Sequence, residues 1–166
     1  MKSLKYYILV FMLYLIFFGQ YKVVAQNKIY DACIGLTFQV DSLLKISKIQ
    51  TETGNRIVSN FLLCFDDKKY LNNAELRQYS NEVLYKLLEI YPKLSLEIMS
   101  KNKSKIYWKI ICNEIANPII YSDVDVIKGI IRKINSISGY DNVKKDVLDA
   151  LKKAIIYVTP NPTNDE

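Results

Sequence analysis

Only 5 glycines and 4 prolines punctuate 166 residues, and this shortage of turn formers constrains the fold more than any other feature. A sandwich or barrel of short strands needs turn chemistry at close, regular intervals. The chain is poor material for that and good material for helices joined by short links. Its apolar residues agree, recurring at three- and four-residue spacing with no convincing strand.

The clearest helix runs from a cap at Asn72 or Asn73 to Tyr91. Leu76, Tyr79, Val83, Leu84, Leu87, Leu88 and Ile90 cover close to half its circumference, and Gln78, Glu82, Lys86 and Glu89 hold the rest. An apolar face that wide packs against more than one neighbour. Pro92 ends it, because the residue before a proline is pushed out of helical geometry. Upstream, Ile29 to Ile49 reads as an outer helix with a narrow stripe (Ile29, Cys33, Leu36, Val40, Leu43, Leu44), leaving Asp31, Asp41, Lys45 and Lys48 off it. A turn at Gln50 to Asn55 leads to a second helix ending near Phe65; one helix bent at Gly54 is the alternative. Asp66-Asp67-Lys68-Lys69 reads as an exposed loop.

Beyond Pro92, a short helix covers Lys93 to Ser100 and a basic loop runs through Lys105. Ser104 to Ala116 is apolar almost all round, which makes that helix central. Ser122 caps the next helix, with Asp123 and Asp125 in its first turn and Val124, Ile127, Ile130, Ile131 and Ile134 inward. Ser138-Gly139 stops it. Asp141 caps the last helix, with Val143, Val147, Leu151, Ala154, Ile155 and Val158 inward, and residues 159–166 form a mobile tail. The expected fold is all-α: six or seven amphipathic helices in antiparallel hairpins, as a HEAT-like array or a compact orthogonal bundle, in one domain over residues 26–158.

The first 25 residues have a separate meaning. Lys2 and Lys5 precede an uncharged run from Leu4 to Phe18, and Val23-Val24-Ala25 offers small residues before a cut at Gln26. That is the order of a secretory signal peptide; an uncleaved anchor is the alternative, although the run is shorter than the roughly 20 apolar residues that span a bilayer. The leader also owns three of the 23 Lys+Arg and none of the 17 Asp+Glu, so the formal +6 of the whole chain falls to +3 after it. The remainder is only mildly basic, and nucleic acid is not an expected partner.

Cys33, Cys64 and Cys112 all follow the leader. An oxidising compartment allows one bridge among them in three pairings. A Cys64–Cys112 bridge would close a long loop and stabilise by about 4 kcal/mol in the chain-entropy model; three small buried thiols are the competing reading.

The chemistry begins with an absence. There is no histidine in the chain, which removes Ser-His and Cys-His nucleophile pairs, His-based metal sites and imidazole acid–base catalysis together. Scattered single glycines make no phosphate-cradling loop, and no two cysteines lie close enough for a redox or zinc motif. Glu75, Glu82 and Glu89 repeat every seven residues and could serve a hydrolase that works through two carboxylates; a solvated helix face, where they alternate with Lys and Gln, explains them better. No cofactor is expected. The candidate interaction surface is basic: Lys101, Lys103, Lys105 and Lys109 beside Tyr107 and Trp108. These observations lead to an exported all-α module that binds another exported or envelope protein, with membrane contact only through an uncleaved leader. A paired-carboxylate hydrolase and a carrier of a small apolar ligand are the alternatives.

Overall fold

The computed structural model describes residues 31–46, 49–66, 72–104, 108–120 and 123–159. The expected leader and nearly all of the expected tail lie outside the described residues. Within them the chain is all-α, with no strand. Helix α1 covers residues 31–45. It is followed by α2 (Glu52–Leu63) with a 3-10 turn at Cys64–Asp66, α3 (Ala74–Ile90), α4 (Pro92–Asn102), α5 (Trp108–Ala116), α6 (Val124–Asn135) and α7 (Asp141–Val158).

The breaks have local causes. Thr51 caps α2, its hydroxyl accepting from the Gly54 backbone N–H at 3.0 Å. The chain folds back so tightly there that a Cβ on Gly54 would stand 2.4 Å from the Ile49 carbonyl oxygen. Residues 46 and 49–51 are not helical, so α1 and α2 are two helices and not one bent at Gly54. Asn73 caps α3 through the Leu76 N–H. Pro92 does more than end α3: it opens α4, where its missing N–H would have had no partner. The cap of α6 is Asp123, accepting from the Asp125 N–H at 2.8 Å. Before α7, Gly139 and Tyr140 both take positive φ, 85° and 61°. That reversal makes Tyr140 the cap and Asp141 the first helical residue, one position from the expected cap.

The helices form a bundle around one apolar core that draws on every helix from α1 to α7, including Val40, Phe61, Leu84, Leu96, Ile111, Ile130 and Leu151. The α5–α7 and α6–α7 contacts are the most extensive, and α7 also touches α4. Helix α3 packs on α4, α5 and α6, as its wide apolar face requires.

Two polar clusters join distant helices. Between α3 and α5, Arg77 Nε donates to Glu114 Oε1 at 2.9 Å, and Asn81 Nδ2 donates to the Glu114 carbonyl at 2.7 Å. Asn81 Oδ1 accepts from the Ile119 N–H at 3.1 Å, and the Tyr85 hydroxyl donates to the Ile115 carbonyl. Glu114 is 2 % exposed; the helix expected to be apolar all round holds its one acid inside. Between α1 and α3, Asp41 is 4 % exposed, not solvent-facing as its place off the stripe implied. It meets Lys45 at 2.6 Å and Lys86 at 3.3 Å and accepts from the Tyr79 hydroxyl at 3.0 Å. Burying a carboxylate is tolerable only when it is paired and hydrogen-bonded, and two of these partners, Tyr79 and Lys86, come from a helix about forty residues on.

Candidate functional site: a groove between two helices

The Cys64–Cys112 pairing is corrected by the structure. Cys33 bridges Cys64, with Cα atoms 5.5 Å apart, and Cys112 is free. The bridge ties α1 to the 3-10 turn after α2, and the two cysteines pack with Leu76.

Cys112 instead lines a surface groove of about 850 Å³ between α5 and α7. Helix α5 contributes Trp108, Lys109, Cys112 and Ala116, and α7 contributes Asp146, Ala150, Lys153, Ile156 and Tyr157. These positions recur at the spacing of one helix face on each side, so the groove is a trough with small residues at mid-length and aromatic rings at its ends. Ile156 is 76 % exposed and Tyr157 63 %, although the opposite side of α7 is packed by Val147, Leu151 and Ala154.

One end of the trough is fixed by polar contacts. Asp146 Oδ2 accepts from Trp108 Nε1 and from Lys103 Nζ, each at 2.8 Å. Lys103 also donates to the Asn142 carbonyl and stands over the Trp108 ring, 5.2 Å from its centroid. The hydrogen bonds from Lys103 and Trp108 hold the Asp146 carboxyl below the usual range. Burial pushes the Cys112 thiol up to about 11, and the Asp146 charge adds to this against Lys103 and Lys153.

Both shifts run against the usual catalytic tuning. A general acid needs a raised carboxyl, whereas Asp146 stays ionised. A nucleophilic cysteine needs a lowered thiol, whereas Cys112 stays protonated at neutral pH. Asp149, the second carboxylate in the groove, pairs with Lys152 at 3.3 Å. The acids Glu75, Glu82 and Glu89 do not line the groove, and Glu82 pairs with Lys86 at 2.7 Å along α3. Among the described residues no group of three or more Cys, Asp or Glu is placed to hold a metal ion, and no helix is long and apolar enough to cross a membrane.

The basic cluster read from the sequence is divided. Lys101 turns along α4 to Glu97, 2.6 Å away. Lys103 is committed to Asp146. Lys105 lies outside the described residues. Lys109 reaches the groove and is exposed. Sequence reasoning missed Asp146, Lys153, Ile156 and Tyr157; the one signal available was that Ile156 and Tyr157 fall off the inward stripe of α7 while being large and apolar.

Compared with known protein families, with curated proteins and with solved structures, the chain matches none.

Proposed function

We propose that this is an exported protein-binding module of the adaptor, inhibitor or immunity type, with the α5–α7 groove as its contact face. The observation that carries the reading is the pair Ile156 and Tyr157. A helix that buries one face completely leaves these two large apolar side chains in water at the end of an 850 Å³ trough. Contiguous exposed apolar surface rimmed by polar groups marks interaction sites, and tyrosine and tryptophan supply contact area at low entropic cost. The Cys33–Cys64 bridge supports export, because structural disulfides persist mainly in oxidising compartments. The reading takes residues 1–25 as a cleaved leader and the helices as a compact orthogonal bundle. Contacts such as α5–α7, α4–α7 and α2–α4 skip sequence neighbours, which favours a bundle over a HEAT-like array.

The test is site-specific photo-crosslinking in the native host, with the reactive residue at Tyr157 or, as a control on α2, at Arg56. A discrete adduct from position 157 that is missing from position 56, carried by protein whose N-terminus is Gln26, is the expected result. Equal labelling from both positions, or none from 157, ends the proposal.

A further inference from the structure

The charges of the groove indicate what chemistry its partner carries. Its two carboxylates are neutralised from within, Asp146 by Lys103 and Asp149 by Lys152. Its two exposed lysines, Lys109 and Lys153, form no ion pair among the described residues. The field left over is positive, and it flanks an apolar trough.

The shape is equally specific. The walls are Trp108 at one end and Ile156 and Tyr157 at the other, and the residues between them include Cys112 and Ala150. Small residues at mid-length let another backbone approach, as ridges pack into grooves at interaxial distances of about 8–10 Å. From Asp146 to Tyr157 the groove follows α7 for roughly 16 Å, about three turns of helix. An anionic bilayer is the poorer occupant. An interfacial helix inserts a convex apolar face into lipid, whereas this surface is concave and two-walled.

We infer that the groove receives an amphipathic helical segment of another protein, about three turns long, whose apolar stripe is flanked by aspartate or glutamate. This rests on the protein-binding reading and names the partner's chemistry. Lys109 and Lys153 would each meet a carboxylate at the rim, setting orientation and association rate, while Trp108 and Tyr157 supply the apolar contact.

The experiment is a display selection on the full oxidised chain, using a library of 14-residue amphipathic helices with randomised flanking charges and no tryptophan. Trp108 is the only tryptophan in the chain, so its emission reports groove occupancy for each selected peptide. Enriched peptides that are net acidic, that shift Trp108 emission, and that bind the Lys109→Glu/Lys153→Glu variant about tenfold more weakly or worse would support the inference. Basic or uncharged enriched peptides that still shift Trp108 emission overturn the acidic partner and leave the binding-module reading standing. Acidic peptides that bind the charge-reversed variant equally well also overturn it. If no peptide is enriched while phosphatidylglycerol vesicles shift the emission, the face binds membrane and the inference falls. Loss of the Tyr157 adduct in the host strikes the broader reading, so the two failures are distinguishable.

Discussion

Glu114 Oε1 stands 2.7 Å from Arg77 Nη2 and 2.9 Å from Arg77 Nε, so a single oxygen of a buried carboxylate meets both donors of one guanidinium edge. The pair joins α5, one wall of the groove, to the central helix α3. Removing one partner strands the other charge in a low-dielectric site, which typically costs 3–5 kcal/mol, whereas replacing both with apolar residues is often close to neutral. Arg77→Ala is therefore expected to destabilise by about 3 kcal/mol in urea unfolding, and Arg77→Met/Glu114→Leu by well under half as much. Equal losses would mean that the pair itself, and not the stranded charge, sets the cost.

Stability should fall at both ends of the pH scale because of Asp41 and Tyr79. Burial raises the Asp41 carboxyl, but hydrogen bonds from Lys45, Tyr79 and Lys86 outweigh it and hold it below its ordinary 3.8. A lowered folded-state value gives a contribution that is complete above 3.8 and disappears as pH drops through the lowered value. Tyr79 is pushed up to about 12 by burial and by Asp41. Its contribution is complete below the ordinary 10.0 and is lost as pH rises towards 12. Asp41→Asn should cost about 2 kcal/mol at neutral pH, with the gap to the native protein closing below pH 3.8; Tyr79→Phe should flatten the alkaline limb. Thermal melts across pH measure both.

The glycines separate by position. Gly35 on α1 has nothing within 4 Å of an added Cβ, and at Gly129 on α6 the nearest atom is the flexible Arg132 Nη2 at 3.9 Å. Gly35→Ala and Gly129→Ala are each expected to stabilise by about 0.5–1 kcal/mol. At Gly54 the obstacle is the Ile49 backbone itself. Gly54→Ala is expected to destabilise by about 1–3 kcal/mol, and three denaturant curves decide it.

The thiols give a chemical check on chain topology. Without reduction only Cys112 should alkylate, slowly at pH 8 and about tenfold faster for each added pH unit until its value near 11 is approached. After reduction all three should react. Opening a bridge with a sequence separation of 31 should cost about 3.5 kcal/mol in the chain-entropy model. Peptide mapping that joins Cys112 to either partner would refute the topology of α1.

What was legible in the sequence was whatever neighbouring residues decide. The cap of α3 at Asn72 or Asn73, its end at Pro92 and the stripes of α6 and α7 follow from residues within one turn of each other. Asp41 and Glu114 were not legible, because their burial is tolerated only through Lys86, Tyr79 and Arg77 on another helix. Cysteine pairing was hidden for the same reason, since it depends on the path of α1 over α2. The groove was half visible: Lys103, Lys109 and Trp108 stood out as a basic and aromatic stretch, but its other wall lies about forty residues on. Lys103 also shows how a charge run misleads, because its ammonium is spent on Asp146.

Helix α7 has one more consequence, and it concerns the order in which the chain is made. Val143, Val147, Ala150, Leu151 and Ala154 close the core against α4, α5 and α6, so those three helices have no complete apolar partner until residue 158 has left the ribosome. Synthesis therefore yields, for most of its duration, a polypeptide that cannot finish collapsing. A chain delayed in this way remains available to chaperones and to any channel that threads extended polypeptide.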